Sequence, residues 1–249
     1  MARVNRVARG VRGFALAMLG VAIVLSAVLA VVAFVKRRPQ DLPWTALDLA
    51  EAPGMFTGRK LVALTQDFAG CRALLDRAGI AYTPLPPVGE GSCRYADGVR
   101  TAASGPLTIG YHPSRLGVSC PVAAGLAMLE WNVIQPAARR HFGSRVTTVE
   151  HFGSYNCRRM YGRSAGDWSE HATADAIDLA GFVLADGTRI TVVRDWSRGG
   201  RRAAFLREVR DGACGLFATV LSPDYNAAHR DHFHIDQAER GAWGGRSCR

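Results

Sequence analysis

The stretch SEHATADAIDLAGFVLADGTRITVVRDW, residues 169–196, decides the fold of this chain. Its apolar run from Ala176 to Leu184 has the length and composition of a largely buried strand, and Thr188–Trp196 is a second strand candidate. Asp186-Gly187 lies between the two runs, and this dipeptide is typical of a two-residue β-hairpin. The segment therefore predicts two neighbouring antiparallel strands.

The flanking segments extend this hairpin into a larger sheet with helices. Further strands are indicated over Ser92–Tyr95, Leu107–Tyr111, Arg145–Phe152 and Asp231–Asp236. Apolar residues at helical spacing indicate helices over Thr65–Ala78, Pro121–Ile134 and Arg201–Arg210. Pro136 is expected to kink or end the second of these helices. Helices that precede hairpin-linked strands predict an α+β fold, a mainly antiparallel sheet with flanking helices.

One N-terminal transmembrane helix precedes this domain in the predicted architecture. Residues 13–35 contain no charge, and a helix of these 23 residues is about 34 Å long, enough for a hydrocarbon layer of roughly 30 Å. A signal peptide cleaved after Ala30 is one interpretation, and an uncleaved anchor is the other. The anchor is favoured because the apolar run continues beyond Ala30 and a basic cluster follows it. Four arginines before the span and three basic residues after it favour a cytoplasmic N-terminus.

The predicted organisation follows from this anchor. Residues 1–12 form a basic cytoplasmic tail, 13–35 the transmembrane anchor, 36–58 a Pro- and Gly-containing linker, and 59–249 the folded domain. We expect a single-pass protein of the inner (cytoplasmic) membrane whose domain faces the periplasmic, extracytoplasmic side.

The net charge of the chain is +10, which invites a nucleic-acid interpretation. Residues 1–38 contain seven basic residues and no acid, so most of the excess flanks the apolar segment. The remaining residues have an ordinary charge balance. We therefore expect the membrane as a partner of the N-terminal helix and no nucleic acid as a partner.

Six cysteines agree with a location outside the cytoplasm. None of them forms a C-x-x-C pair, which argues against a thiolate zinc site or a redox motif. An even number of widely spaced cysteines in an exported domain predicts three disulfides. Buried free thiols are the alternative, and the sequence does not choose among the possible pairings.

Three residues far apart in the chain predict a metal site. Asp178 lies inside an apolar run between small residues, so its carboxylate needs a partner. His171 lies seven residues upstream and could fold back over the same place. On a strand, His232 and His234 share one face. Two His and one carboxylate are a common catalytic zinc set, and an Asp–His hydrogen-bonded pair is the alternative.

These motifs resemble those of known families. The pattern S-x-H-x-x-x-x-A-x-D (169–178), followed by H-x-H (232–234), resembles the zinc D-Ala-D-Ala peptidases and the lysostaphin-type enzymes. The fuller pattern resembles the bacterial family named for an extensin-like C-terminal domain. Its blocks here are GSYNCR (153–158), SEHATADAIDLAGF (169–182), the Asp-Gly hairpin, DW (195–196) and TVLSPDYNAAHRDHFHID (219–236).

The resemblance implies a D-Ala-D-Ala metallopeptidase-like fold and a role for each residue of the site. It implies that the Zn²⁺ ligands are His171, Asp178 and His234. It implies Asp231 or His232 as the group that moves protons, and Arg158 as the group that holds a substrate carboxylate. Asp231 is one methylene shorter than the Glu usual in the peptidases. Ala174 stands where they usually have Gly, so a methyl group enters the turn between two ligands.

The expected function is that of a membrane-anchored, extracytoplasmic zinc-dependent hydrolase. The expected substrate is a peptide bond in peptidoglycan stem peptides. The alternative is a non-catalytic, metal-containing cell-wall-binding or scaffold module, which the departures at Asp231 and Ala174 favour.

Overall fold

Residues 2–241 and 245–249 are described by a computed structural model. The helices are α1 (Ala2–Arg37), α2 (Thr57–Ala63), α3 (Phe68–Arg77), α4 (Cys120–Leu129), α5 (Gln135–Phe142), α6 (Val192–Asp195) and α7 (Gly200–Ala213). The strands are β1 (Tyr82–Pro84), β2 (Gly98–Thr101), β3 (Gly110–His112), β4 (Val118–Ser119), β5 (Val146–His151), β6 (Ala176–Leu184), β7 (Arg189–Thr191), β8 (Thr219–Leu221), β9 (Phe233–Asp236) and β10 (Ser247–Cys248).

The larger sheet has the strand order β10-β8-β9-β6-β5-β3, and β7 pairs with the second half of β6. Its central pairs are antiparallel, but β3 pairs with β5 and β8 with β10 in parallel. The sheet is therefore mixed, and the expectation of a mainly antiparallel sheet is corrected. Strand direction at the two edges depends on long-range connections, which the hydrophobic pattern of a two- or three-residue strand does not encode. The strands β1, β2 and β4 form a second, smaller antiparallel sheet in the order β1-β2-β4.

Strand β6 lies in the middle of the larger sheet and separates a core face from an open face. Ile177 and Leu179 are fully buried in the core, and Phe182 packs edge-on against Phe205 of α7 at a ring distance of 5.2 Å. Each such side chain contributes roughly 1.5–3 kcal/mol by its removal from water. Because side chains alternate along a strand, Asp178, between Ile177 and Leu179, points to the opposite, open face. An irregularity in the pairing of β6 with β5, between Leu179 and Gly181, returns Phe182 to the core face.

The sequence predicted the main elements and misplaced several boundaries. β6 has the predicted bounds, and the predicted helix 201–210 is α7. The predicted strand 188–196 is only the short β7 followed by α6, and Gly91–Cys93 is a 3₁₀ turn where a strand was predicted. The helix predicted over Pro121–Ile134 does not end at Pro136.

A π-helical turn, Glu130–Ile134, joins α4 to α5 and accommodates Pro136. The wider turn places this proline in the first turn of α5, where its missing N–H removes no hydrogen bond that the helix needs. The helical segment therefore extends eight residues beyond Ile134, to Phe142.

The N-terminal region combines an exposed apolar helix with residues that belong to the domain. Val11–Arg37 of α1 is long and apolar enough to cross a membrane. Leu47 and Leu49, inside the predicted linker, are buried in the core cluster, so part of that segment packs with the domain.

The six cysteines form three disulfides, as predicted. They join Cys71 to Cys120, Cys93 to Cys157 and Cys214 to Cys248. Disulfides persist in oxidising compartments. Together with α1 they indicate a single-pass membrane protein with its domain outside the cytoplasm.

Candidate functional site

Strand pairing brings Asp178 and His234 together. The two residues are directly opposite each other on the antiparallel strands β6 and β9. Directly opposite side chains lie on one face with Cβ atoms about 4.5–5.5 Å apart. Here Asp178 Oδ1 is 3.0 Å from His234 Nδ1. The core residues on either side of them, such as Ile177 opposite Ile235, fix the register.

A short turn before β6 carries His171 to the same place. Ser169 caps this 3₁₀ turn (Glu170–Thr173) by accepting a hydrogen bond from the His171 N–H. Ala174 ends the turn in the left-handed conformation, with φ of 58°, and is fully buried. This conformation is the physical reason that glycine suits the position, since it costs other residues roughly 1–2 kcal/mol. The turn forms with Ala174 in place, and the methyl group does not keep His171 from Asp178.

Outer hydrogen bonds determine which ring nitrogens of the two histidines accept. His171 Nδ1 lies 2.6 Å from the Ser154 carbonyl oxygen, and His234 Nε2 lies 3.0 Å from Asp236 Oδ2. Both partners can only accept, so these nitrogens carry the hydrogen of each neutral ring. The other nitrogens, His171 Nε2 and His234 Nδ1, then present lone pairs to Asp178 Oδ1.

When both rings are neutral, three acceptor atoms therefore face one another without a hydrogen between them. His171 Nε2 lies 3.2 Å from Asp178 Oδ1 and 3.1 Å from His234 Nδ1. Bonds of about 2.0–2.1 Å in a tetrahedral zinc shell separate neighbouring ligand atoms by about 3.3 Å. The spacing and the donor set thus fit a zinc ion. Within the described residues, this is the group of three ligand-type side chains whose atoms all lie within 4.8 Å of one another.

The pKa values show how strongly the cluster favours positive charge. Burial alone would raise the pKa of Asp178, but the imidazoles of His171 and His234 beside it hold that pKa well below its usual range. Burial alone would lower the pKa of His234, but its bonds to Asp178 and Asp236 outweigh burial and raise the pKa to about 9. In the metal-free chain a proton on His234 therefore occupies the place that suits a metal cation.

The cluster lies in a cleft of about 350 Å³ that opens to solvent. Arg158, Tyr161 and Leu221 line it together with the three clustered side chains. Arg158 forms no ion pair with a carboxylate among the described residues, so its charge is available to a ligand. A larger cavity of about 630 Å³, near residues 55–63, 238–241 and 245–246, is lined by no imidazole among the described residues.

The match of this chain to a family model covers the whole site. The model, described as extensin-like protein C-terminus, matches residues 69–249. The chain belongs to the extensin-like C-terminal domain family. No curated protein and no solved structure matches the chain.

In this extensin-like domain, His232 lies at one side of the cluster. Its Nε2 is 3.5 Å from Asp178 Oδ1, and its Nδ1 is 2.9 Å from Asp231 Oδ1. Because the Asp231 carboxylate accepts, Nδ1 carries the hydrogen and Nε2 is the accepting atom on the cluster side. Asp231 itself lines a neighbouring cavity rather than the cleft.

His229 is a further imidazole of the cleft, one to which the predicted site assigns no role. Its Nδ1 donates to Asn226 Oδ1 at 2.7 Å, and its ring lies 5.3 Å from that of His232. Burial, followed by the neighbouring His232 and His234, lowers the pKa of His229 to about 4. His229 is therefore neutral at physiological pH. The sequence signal that could have placed His229 in the cleft is its position three residues before His232, inside HRDHFHID.

Buried carboxylates surround the turn that carries His171. Burial, followed by Asp236 and Asp175, raises the pKa of Glu170 to about 7. Burial and then Asp175 raise the pKa of Asp97 to about 6. The carboxylates near this turn raise one another's pKa, and a cation bound nearby would reduce that repulsion.

Proposed function

We propose that this extensin-like domain is a zinc-dependent hydrolase held at the inner membrane by α1. Its proposed substrate is a peptide bond in the stem peptides of peptidoglycan, on the periplasmic side. The observation that carries the proposal is the convergence of three accepting atoms, from His171, Asp178 and His234, in an open cleft. The resemblance of the two motifs to those of zinc D-Ala-D-Ala peptidases supports the same reaction class.

Zinc held by these three residues would supply Lewis-acid chemistry, making water a nucleophile near neutral pH and polarising a carbonyl group. The outer partners, the Ser154 carbonyl and the Asp236 carboxylate, keep the two ring nitrogens free to bind it. A carbonyl of the substrate reaches this cluster through the same cleft.

His232 is the proposed proton acceptor and Asp231 its positioning residue. Nε2 of His232 carries a lone pair beside the cluster and can take a proton from the attacking water, then give it to the leaving amine. The bond from His232 Nδ1 to Asp231 holds this tautomer. The geometry therefore favours His232 over Asp231 as the group that moves protons.

Arg158 is the proposed anchor for a substrate carboxylate. Its guanidinium lines the same cleft and has no carboxylate partner among the described side chains. A guanidinium presents donors in a planar fork that suits two carboxylate oxygens. Binding of a substrate carboxylate at Arg158 would orient a short peptide with its carboxyl terminus on that side of the cluster.

The test uses the full-length chain purified in detergent. We expect about one zinc per chain by elemental analysis, and loss of that zinc in His171→Ala. Incubation with purified peptidoglycan should produce new amino termini or free D-alanine. His232→Ala should retain zinc and lose the release, because the ligand atoms remain but the proton acceptor is gone.

His141→Ala is the matched control. His141 bonds Glu208 on the helical side of the sheet, so its removal should change neither zinc content nor release. Carefully prepared wild-type protein without metal would contradict the proposed site. Metal-dependent binding to peptidoglycan without release would instead support the alternative, a non-catalytic wall-binding module.

A further inference from the structure

A second cavity, of about 260 Å³, lies beside the cleft on the other side of His232. Its walls include Glu150, Phe152, Ala180, Arg189 and Asp231. None of these residues is a ligand candidate, and the proposed reaction uses only Asp231. The proposed reaction therefore assigns no role to this cavity as a whole.

The second cavity is adjacent to the cleft. Ala180 follows Asp178 by two residues on β6, so the two side chains share the open face of that strand. Asp231 bonds His232, and the Phe152 ring meets the His232 ring edge-on at 5.7 Å. His232 lines the cleft and contacts two residues of the second cavity, so it lies between the two; we call the pair of cavities the groove.

The groove has opposite charge at its two ends. Arg158 provides an unpaired guanidinium in the cleft, whereas Glu150 and Asp231 provide two carboxylates in the second cavity. Arg189 Nε neutralises Glu150 at 2.8 and 2.9 Å from its two oxygens. Asp231 bonds His232 through Oδ1, and Oδ2 accepts no hydrogen bond from the described residues. The second cavity therefore keeps a net negative charge and a free acceptor.

The close packing of Glu150 shows that this carboxylate is built into the floor. A Cβ added at Gly181 would lie 2.8 Å from Glu150 Oε2 and 2.8 Å from the Ile190 carbonyl oxygen. Real Cβ atoms do not approach that closely, so a residue without a side chain is needed opposite Glu150. Phe152, which is 62% exposed, adds an aromatic ring to the lining of this cavity.

We propose that the second cavity is the subsite for an ammonium group, the side-chain amine of a diamino acid on the amino side of the scissile bond. This inference rests on the proposed function and deepens it. A peptide whose terminal carboxylate lies at Arg158 and whose scissile bond lies at the cluster extends its preceding residues past His232. Its amine then meets Asp231 Oδ2 and the Glu150 edge, where a charge-assisted hydrogen bond forms.

The test compares two peptides that differ only in that amine. N-acetyl-L-lysyl-D-alanyl-D-alanine and its norleucine counterpart are titrated calorimetrically into the full-length chain in detergent. Metal is first removed with a chelator so that no turnover occurs. We expect the lysine peptide to bind at least about tenfold more tightly, because its ammonium group forms a charge-assisted hydrogen bond that the methyl group of norleucine lacks.

Two variants locate the selectivity. Glu150→Gln and Asp231→Asn should each reduce the ratio of the two affinities several-fold. Glu208→Gln is the matched control, since this glutamate also pairs with an arginine but lies on the helical side of the sheet, and it should leave the ratio unchanged.

Equal affinity for the two peptides, or no binding of either, overturns the subsite. A preference that survives in both Glu150→Gln and Asp231→Asn overturns it as well. The zinc content and the peptidoglycan release are measured separately. Selective binding by a chain that holds no zinc as purified therefore upholds the subsite and refutes the hydrolase. Hydrolysis without selectivity for the amine upholds the hydrolase and refutes the subsite.

Discussion

Replacement of Asp236 by Asn tests the hydrogen-bond logic of the metal site without touching a ligand. Asp236 lies on β9 two residues after His234, is 3% exposed, and accepts the hydrogen of His234 Nε2 through Oδ2. Its Oδ1 accepts from the Ala238 N–H at 3.0 Å. In Asp236→Asn the backbone N–H keeps the amide oxygen at the Oδ1 position, so the amide nitrogen faces His234.

The amide nitrogen donates where the carboxylate accepted. His234 Nε2 must then carry the lone pair, and the hydrogen moves to Nδ1, the atom that faces Asp178. Loss of such an outer partner typically weakens metal affinity about 10–100-fold. Because the substitution reverses the tautomer in addition to losing a charge, we expect a loss near 100-fold, or about 2.7 kcal/mol at 1.36 kcal/mol per tenfold change.

The assay is a competitive zinc titration against a chromophoric chelator, with the full-length protein in detergent. Asp195→Asn is the matched control. Asp195 is 4% exposed and accepts a hydrogen bond from the Thr191 N–H, so it is an equally buried carboxylate away from the cluster. Circular dichroism reports whether both variants are folded. Zinc binding by Asp236→Asn as tight as that of the wild type would refute the tautomer argument.

Three further predictions concern stability. Asp97→Asn should raise the free energy of unfolding at pH 7.5 by about 1–2 kcal/mol, a value discounted for partial exposure. The folded pKa of Asp97, near 6, exceeds the ordinary 3.8, so the stability of the wild type falls as the pH rises from about 4 to 6. Urea titrations across that range should show a flatter pH profile in the variant. Replacing Cys93 and Cys157 by Ser opens a loop of 64 residues and should cost about 4 kcal/mol by thermal unfolding, and an unchanged melting temperature would contradict the loop-entropy argument. Gly181→Ala places a Cβ 2.8 Å from a backbone carbonyl oxygen and should destabilise the domain by roughly 1–3 kcal/mol in chemical denaturation, whereas a neutral result would show that the strand can shift.

Several features of the fold followed from local sequence signals. The apolar run 176–184 and the Asp-Gly turn after it became β6 and its hairpin with β7. Local periodicity failed where few residues define an element: the edge strands β3 and β10 run parallel to their neighbours, and Pro136 lies inside a helical segment widened by a π turn. Such features depend on connections and packing from distant parts of the chain.

The candidate site divides in the same way. Motif spacing, together with the resemblance to zinc peptidases, predicted His171, Asp178 and His234 as a set, and the alternation of side chains predicted His232 near them. The sequence did not show roles that depend on where a side chain points. The orientation of Asp231 toward a second cavity and the opposed charges along the groove needed the fold.

The sequence by itself determined an apolar N-terminal helix and an even set of cysteines, and its motifs predicted three metal-type side chains, because each of these depends on residue type and on local patterns. The tertiary structure alone decided which cysteines pair and which ring nitrogens face one another. It also decided where the groove runs. These properties depend on strand register and on backbone groups such as the Ser154 carbonyl, whose position in space is set by contacts among residues far apart in the chain.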